Sequence, residues 1–307
     1  MSGRWLVTGA GGMLGRDLLG VLAAEGVAAT AATRADLDVT DPAAVRAAVR
    51  GHDLVVNAAA WTDVDAAERD EAAATAVNGT AVRSLAEACA AGGARLLHVS
   101  TDYVFDGTAT SPYPEAAPTG PINAYGRGKV AGERAVLESL PDTGYIVRTA
   151  WLYGAHGRNF VSTMLRLARE LETVEAVADQ HGQPTWTRSL AERLAALGRR
   201  ALAGAAPAGV YHGTQRGQAT WYDFAREVFG NAGLAVDRVR PVPLTRFARP
   251  ARRPAYSVLG HTRWAAAGLD PMPHWKDALR QAFRHHPEVW HGAVSERNVP
   301  VKGEASR

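Results

Sequence analysis

Tyr125 and Lys129 stand one helical turn apart in the segment NAYGRGKVAGER, residues 123–134. Side chains at positions i and i+4 of a helix share one face and can converge on a common ligand. A phenol with its ordinary pKa of about 10 exchanges protons poorly at neutral pH, and a nearby ammonium lowers that pKa by favouring the phenolate. The pair predicts a tyrosine that acts as general acid or base, although the same spacing is also common in surface pairs.

A second polar group precedes this pair. The segment STDYVFDG, residues 100–107, places Ser100, Thr101 and Asp102 directly after a predicted strand. Ligands of doubly wound sheets bind at the carboxyl ends of the strands, so these side chains and the Tyr125 helix are expected to face one crevice. The chemistry that fits is hydride transfer between a nicotinamide and a carbonyl or alcohol carbon, with Tyr125 handling the proton of the oxygen.

Three glycines, Gly9, Gly12 and Gly15, lie in the segment VTGAGGMLGRDLLGVL between a predicted strand and a predicted helix. Glycine is required where the backbone turns tightly and where a pyrophosphate approaches main-chain N–H groups at the positively polarised start of a helix. A purely structural turn is the alternative. The place of this triad after the first strand of an alternating pattern indicates a dinucleotide site, although its Gly-x-x-Gly-x-x-Gly spacing is not the Gly-x-Gly-x-x-Gly of ordinary dehydrogenases.

Thr33 and Arg34 stand at the end of the second predicted strand, followed by Asp36. A carboxylate at the strand end would bind the ribose diol of NAD and repel the 2′-phosphate of NADP, whereas an arginine pairs with that phosphate. We therefore expect NADPH to be the preferred cofactor. The sequence leaves open whether NADH is accepted as well.

The elements that position these residues follow an alternating pattern. Short β-rich runs alternate with alanine-rich helical stretches in the first half of the chain, which is typical of a parallel sheet covered by helices. Strands are predicted over residues 4–9, 27–33, 53–59, 94–100 and 144–149. Helices are predicted near residues 13–25, 42–50, 64–91, 123–140, 159–171, 187–203 and 220–232.

We predict an α/β fold, a Rossmann-type doubly wound parallel sheet with a smaller interleaved α/β substrate domain. The cofactor domain comprises residues 1–150 with parts of about 187–213 and 255–262. The second domain comprises about 151–186, 214–254 and 263–290. The polar tail over 291–307 is predicted to be disordered.

Composition limits the classes of function. The 307 residues are 47% hydrophobic and 21% charged with a net charge of +3. No apolar run approaches the roughly 20 residues of a membrane helix, and the first residues lack the pattern of a signal peptide, so we expect a cytoplasmic protein. One cysteine, Cys89, excludes an intrachain disulfide. None of the ten histidines has metal-ligand spacing with a carboxylate, so no metal site is predicted, and we take His98 as a core histidine.

The motifs together resemble those of the extended short-chain dehydrogenases/reductases, and within them the dTDP-4-dehydrorhamnose reductases. The resemblance runs over residues 4–285 through TGAGGMLGRDL, TRADLDVTD, VVNAAAWTDVDAAE, STDYVFDG, PINAYGRGKVAGE, VRTAWLYG, DQHGQPT, TWYDFA and RPAYSVL. It implies that Thr101 hydrogen-bonds the reacting oxygen, that Tyr125 donates the proton, and that Lys129 lowers the tyrosine pKa and holds the nicotinamide ribose.

The same resemblance assigns the remaining contacts. On the cofactor side it adds to the glycine triad and Arg34 the residues Met13, Leu14, Asp38, Val39, Ala60, Trp61 and Thr62. On the sugar side it implies Asp102 and Trp151. The segment DQHGQPT and the arginine-rich island over 245–254, with Arg253, would bind the nucleotide diphosphate. Charge alone would favour a solvated loop for that island, and we expect no nucleic-acid partner.

The implied reaction is reduction of the 4-keto group of a dTDP-4-dehydro-6-deoxy-L-hexose, in first place dTDP-4-dehydro-L-rhamnose to dTDP-L-rhamnose. Two alternatives stay open. One is a related reductase of antibiotic-sugar biosynthesis, such as one forming dTDP-dihydrostreptose. The other is a non-catalytic NADP-binding regulatory subunit like the β-subunit of methionine adenosyltransferase, against which the intact Thr101, Tyr125 and Lys129 argue.

Two departures from the family pattern affect the expected partners. Some members bind Mg2+ between subunits, but Arg188 stands where a glutamate would be needed beside Asp17, which speaks against a metal-bridged dimer. We expect a monomer or homodimer with a dTDP-sugar as its ligand and no membrane partner. Trp61 and Trp186 also replace smaller or differently shaped residues, which predicts an unusual substrate pocket.

Overall fold

The computed structural model of the chain describes residues 3–290, so the tail over 291–307 lies outside the described residues. The strands are β1 (Trp5–Thr8), β2 (Ala29–Ala32), β3 (Leu54–Asn57), β4 (Arg95–Thr101), β5 (Gly144–Thr149), β6 (Leu152–Tyr153), β7 (Val174–Val177), β8 (His181–Gly182), β9 (Thr185–Trp186), β10 (Gly209–His212), β11 (Ala219–Thr220) and β12 (Val239–Val242). The α-helices are α1 (Met13–Ala24), α2 (Pro42–Val49), α3 (Val64–Arg69), α4 (Glu71–Thr75), α5 (Ala81–Gly92), α6 (Ala124–Ser139), α7 (Phe160–Glu170), α8 (Thr187–Leu202), α9 (Trp221–Asn231), α10 (Trp275–His285) and α11 (Pro287–Trp290).

Six strands form one parallel sheet in the order β10-β5-β4-β3-β1-β2. This confirms the predicted α/β fold class and all five predicted strands. The direction of strand addition reverses at β1, which pairs with β2 on one side and β3 on the other. The carboxyl ends of these strands are therefore the expected place of a ligand crevice.

Both faces of the sheet are covered by helices. The side chains of Trp5, Leu54 and Val56 pack with α1 and α8 on one face, while Leu6 and Val55 pack with α2, α5 and α6 on the other. Alternation along each strand sends successive side chains to opposite faces. Because both faces are buried, the strands read as nearly continuous apolar runs, which is why they could be located from the sequence.

The helix predicted over 64–91 is wrong in detail, because the structure breaks it. The Asp70 carboxylate accepts a hydrogen bond from the Ala73 N–H and so starts a new helix after α3. A π-helical turn (Ala76–Thr80) then separates α4 from α5. This turn aims the Asn78 amide at the backbone of Trp61, to which it makes two hydrogen bonds of 2.9 and 3.0 Å. Such turns often mark functional regions.

A second cluster of buried side chains lies outside the sheet. It includes Tyr153, Val161, Phe224 and Trp275, and it is built from α7, α9 and α10 with short strand pairs such as β7 and β12. Helix α10 was not predicted. None of the helices within residues 3–290 has the length and apolar character that crossing a bilayer requires.

Candidate active site

A cleft of about 1190 Å³ opens at the carboxyl ends of the sheet strands. It brings together nearly all residues that the sequence singled out. The predicted residues that line it are Gly9, Gly12, Met13, Leu14, Gly15, Arg34, Asp38, Val39, Ala60, Trp61, Thr62, Thr101, Asp102, Tyr125, Lys129 and Trp151.

The glycine-rich loop of the cleft has no room for side chains at two of its glycines. Gly9 has a φ of 67°, and a Cβ there would lie 2.6 Å from the Ala58 carbonyl oxygen. A Cβ on Gly15 would lie 2.3 Å from the Gly9 oxygen. Helix α1 begins after Gly12 without a side-chain cap, so its first N–H groups are available to an anionic ligand. This loop fits a dinucleotide pyrophosphate.

The end of β2 presents one arginine and two carboxylates to the cleft region. Asp36 accepts hydrogen bonds from the N–H and hydroxyl of Thr33, and these bonds lower the Asp36 pKa. Asp38 is engaged in the same way by Thr40. Arg34 makes no hydrogen bond or salt bridge to any of residues 3–290. Its guanidinium lines the cleft and interacts with the Asp38 carboxylate through charge alone.

Helix α6 carries Tyr125 and Lys129 and is held close to the rest of the site. Asn123 caps its first turn by accepting from the Gly126 N–H at 2.8 Å, and its amide donates to the Arg252 carbonyl at 2.9 Å. A Cβ on Gly126 would lie 2.2 Å from the Tyr103 carbonyl oxygen. The helix can approach the segment after β4 this closely only because that position is glycine.

The expected effect of Lys129 on Tyr125 is not seen in the structure. Burial raises the Tyr125 pKa to about 12, and a hydrogen bond from Thr101 lowers it only in part. The Lys129 ammonium is turned toward β4, where it donates to the Val99 carbonyl at 2.7 Å and lies 3.3 Å from His98 Nε2. Burial lowers its own pKa to about 8. The expectation that Lys129 lowers the phenol pKa is therefore corrected, because burial dominates the Tyr125 pKa and the Nζ group is hydrogen-bonded to β4.

Asp102 is a buried carboxyl group beside this pair. It accepts hydrogen bonds from Thr101 at 3.0 Å and from Ser257 at 2.5 Å. Burial nevertheless raises its pKa to about 6. Asp102 therefore changes protonation close to neutral pH, where most aspartates stay ionised.

Two stacked tryptophans form the opposite wall. Trp151 and Trp221 lie 3.6 Å apart with nearly parallel rings, and the Trp221 N–H donates to Gln180 at 3.0 Å. Trp151 has a φ of 45°, the one non-glycine residue within 3–290 with a positive φ. A Cβ on Gly182 would lie 2.5 Å from the Trp151 ring. Trp221 was missed as a site residue, and its only sequence signal was the TWYDFA motif.

Two predicted site residues lie elsewhere. Arg253 does not line the cleft; its guanidinium makes two hydrogen bonds to the Asp65 carboxylate, at 2.6 and 2.8 Å. It interacts with the hydroxyl of Tyr103, which does line the cleft. Trp186 is buried in the second cluster, so its proposed effect on the pocket is corrected.

Asp17 and Arg188, the positions compared with a metal site of the family, both make hydrogen bonds within the chain. Asp17 accepts a hydrogen bond from Thr187 at 2.5 Å, and Arg188 donates to Glu192 at 2.8 Å. Over residues 3–290, no group of three or more His, Cys, Asp or Glu side chains could hold a metal ion. Other cleft residues that the sequence did not suggest are Arg16, His156 and Arg158.

Known proteins resemble this chain along nearly its whole length. The family model described as RmlD substrate binding domain matches residues 3–287. A dTDP-4-dehydrorhamnose reductase of Streptomyces griseus is 60% identical over 91% of this chain and 93% of its own. A dTDP-4-keto-6-deoxy-D-glucose reductase of Streptomyces niveus is 55% identical over 92% and 97%. The crystal structure of dTDP-4-dehydrorhamnose reductase from Bacillus anthracis in complex with NADP superposes with a TM-score of 0.87 at 36% identity, covering 93% of this chain and 100% of that one.

Proposed function

Because the chain belongs to the dTDP-4-dehydrorhamnose reductase family of extended short-chain dehydrogenases/reductases, we propose that it reduces dTDP-4-dehydro-L-rhamnose to dTDP-L-rhamnose with NADPH. It is an oxidoreductase of the dTDP-4-dehydrorhamnose reductase type. The observation that carries the proposal is the convergence of Thr101, Asp102 and Tyr125 with the glycine-rich loop in one cleft.

The chain supplies the proton and the positioning for this reaction. NADPH, when bound along the glycine-rich loop with its 2′-phosphate on Arg34, supplies the hydride. The Thr101 hydroxyl, which donates to Asp102 without substrate, turns to donate its hydrogen bond to the 4-keto oxygen, and Tyr125 then gives its phenolic proton to that oxygen. A pKa of about 12 keeps Tyr125 protonated at neutral pH, which suits a proton donor.

The remaining side chains hold the sugar nucleotide. Asp102 contacts a sugar hydroxyl, while the stacked rings of Trp151 and Trp221 offer a flat apolar surface to the face of the hexose. Arg253 binds the diphosphate if its guanidinium gives up the ion pair with Asp65.

The test is NADPH oxidation by the purified protein with dTDP-4-dehydro-L-rhamnose formed in place by the upstream epimerase, followed by NMR of the sugar product. dTDP-L-rhamnose as the product supports the proposal. NADPH binding without turnover would overturn it and favour the regulatory alternative. Turnover only with another dTDP-keto-sugar would overturn the assigned substrate and keep the chemistry.

A second substrate is favoured by one comparison. The Streptomyces niveus relative is named for a 4-keto-6-deoxy-D-glucose substrate, and its identity of 55% is close to the 60% of the dTDP-4-dehydrorhamnose reductase. Reduction of another dTDP-4-keto-6-deoxy sugar is therefore the alternative, and dTDP-dihydrostreptose stays the example that the sequence resemblance left open. The predicted domain boundaries, cytoplasmic location, monomer or homodimer and acceptance of NADH remain predictions from the sequence.

A further inference from the structure

A row of buried polar side chains crosses the apolar sheet. Thr8 of β1, Asn57 of β3 and His98 of β4 are direct register partners in adjacent strands. By strand alternation their side chains share the face covered by α6, where Lys129 lies. All four residues are at most 3% exposed. We call Thr8, Asn57 and His98 the polar ladder.

The hydrogen bonds of the polar ladder fix the orientation of the Asn57 amide. Its Oδ1 accepts from the Thr8 hydroxyl at 2.7 Å and from the Ala59 backbone N–H at 3.2 Å. A backbone N–H can only donate, so the amide cannot be reversed. The Asn57 Nδ2 group therefore points at His98 Nδ1, 3.0 Å away.

This orientation selects one form of the His98 ring. The Nδ1 atom must accept a hydrogen bond from Asn57, so it carries no proton. Burial and the charge of Lys129 hold the His98 pKa well below its usual range, so the ring is neutral. A neutral imidazole without a proton on Nδ1 carries it on Nε2.

The Nε2–H group then meets Lys129 Nζ at 3.3 Å. An ammonium has donors only, so it would oppose this N–H, whereas a neutral amine accepts from it through its lone pair. The ladder therefore favours the amine form of Lys129, in agreement with a pKa of about 8.

No neighbouring carboxylate fully compensates the Lys129 charge. Glu133, one turn further along α6, favours the ammonium, but Arg148 of β5 holds its carboxylate through two hydrogen bonds of 2.7 and 2.9 Å. Ser100 of β4 donates to the same carboxylate at 2.6 Å. Asp102 is bonded to Ser257 and Thr101. Tyr125, on the same helix, is an uncharged phenol at neutral pH.

We propose that the polar ladder holds His98 as a neutral Nε2–H donor to Lys129 and thereby favours the amine form of the lysine. The consequence for turnover rests on the proposed function. Lys129 lines the same cleft as Tyr125, so a change in the protonation of Lys129 should change the pH dependence of turnover. His98 is a positioning residue in this scheme.

The first test is NMR on the unmodified full-length protein and does not depend on turnover. Long-range proton–nitrogen spectra of protein with 15N-labelled histidine are expected to show His98 as the neutral Nε2–H form from about pH 6 to 9, with the signal assigned by its loss in His98→Gln. A proton on Nδ1, or a charged ring at about pH 6 to 9, would overturn the proposal even if the enzyme reduces its substrate.

Lysine labelling measures the consequence directly, since the chain has only Lys129, Lys276 and Lys302. The 13Cε signal of Lys129 is expected to titrate near pH 8. Asn57→Asp offers His98 Nδ1 an acceptor in place of a donor, so the proton moves to Nδ1 and Nε2 becomes an acceptor for the ammonium. The Lys129 midpoint should then rise by about one to three units. An unchanged midpoint in folded Asn57→Asp refutes the ladder.

Kinetics provide a second measurement. In wild type, kcat/KM should fall at high pH. In Asn57→Asp, the pH at which it falls should rise by the same amount as the titration midpoint of Lys129. His98→Gln keeps an N–H near the Nε2 position, so its kcat/KM should fall at the same pH as in wild type. Circular dichroism must show that this variant has the native fold. His212→Gln replaces another buried histidine, whose Nδ1 lies 2.9 Å from the Gly260 carbonyl, and should not shift the pH at which kcat/KM falls. Equal shifts in both glutamine variants would contradict the proposal.

Discussion

Arg253 and Asp65 form an ion pair with two hydrogen bonds that joins the arginine-rich loop to the first turn of α3. The Ala251 N–H donates to the same carboxylate at 3.1 Å. These bonds lower the Asp65 pKa to about 2. A diphosphate that engages Arg253 must therefore compete with a carboxylate that already satisfies its guanidinium.

Asp65→Asn is expected to weaken this competition. The KM for the dTDP-sugar should fall by about two- to tenfold, while the KM for NADPH stays unchanged. The lowered Asp65 pKa contributes stability above about pH 4 that is lost as the pH falls toward 2, so the variant should lose stability at neutral pH. Steady-state kinetics and thermal unfolding measure both effects. Glu71→Gln removes the exposed pair with Arg127 and serves as the control. A higher KM in Asp65→Asn would show that the pair assists binding.

Tyr125→Phe is expected to lower kcat by about 10² to 10⁴, because we propose the phenol as the proton donor. NADPH affinity, measured by fluorescence titration, should stay nearly the same. Tyr145→Phe removes a buried hydroxyl that donates to the Ala206 carbonyl outside the cleft, and should leave turnover intact. Substantial turnover by Tyr125→Phe would assign proton donation to another group.

Arg34→Ala should reduce the preference for NADPH over NADH. Loss of a charge-assisted contact to the 2′-phosphate would raise the KM for NADPH by about 10- to 100-fold, with little change for NADH. Arg50→Ala, at the end of α2, changes net charge equally without lining the cleft. If both cofactors weaken equally in Arg34→Ala, the arginine does not read the phosphate.

Gly182→Ala should displace the Trp151 ring, which leaves no space for a Cβ at that position. We expect a rise in the sugar-nucleotide KM of about tenfold with unchanged NADPH affinity, because the proposed function assigns Trp151 to the sugar. Gly20→Ala in α1 meets no atom within 4 Å and should instead stabilise the protein by roughly 0.5–1 kcal/mol. Equal losses for both ligands in Gly182→Ala would indicate general misfolding.

Asp102→Asn should change stability in a pH-dependent way. Burial raises the Asp102 pKa from 3.8 to about 6, so the folded protein binds more protons than the unfolded chain in this interval and stability falls as the pH rises through it. Relative to wild type, Asp102→Asn should gain up to about 3 kcal/mol in unfolding free energy between pH 4 and 7. Urea unfolding at both pH values measures this.

Asp106→Asn is the control of opposite sign. Hydrogen bonds from Thr108 and Tyr113 lower the Asp106 pKa, so the carboxylate contributes stability above about pH 4 that is lost on further acidification. This variant should therefore be weakened more at pH 7 than at pH 3. If the unfolding free energies of both variants, relative to wild type, change in the same direction with pH, Asp102 is not a buried acid with too few compensating hydrogen bonds.

The features that could be predicted from the sequence are those that short local patterns determine, such as strand positions and the glycine-rich loop. Continuous apolar runs located β1 and β3, and the glycine triad marked the loop before α1. The sequence could not predict which way side chains point where this depends on contacts between segments that are distant in the chain. The approach of Lys129 to His98 depends on how α6 lies on the sheet, and the stack of Trp151 on Trp221 depends on the packing of α9. The interpretation of His98 as an ordinary core residue likewise missed its partner.

The place of β10 in the sheet also constrains how the protein is made. The strand pairs with β5, but the chain reaches it only after the whole of β6 to β9 has been synthesised. Until Gly209–His212 leaves the ribosome, β5 is an exposed sheet edge, which is a hazard for aggregation. A fragment ending near residue 150 would keep that edge permanently. Translation through β10 therefore sets the earliest point at which the sheet can close.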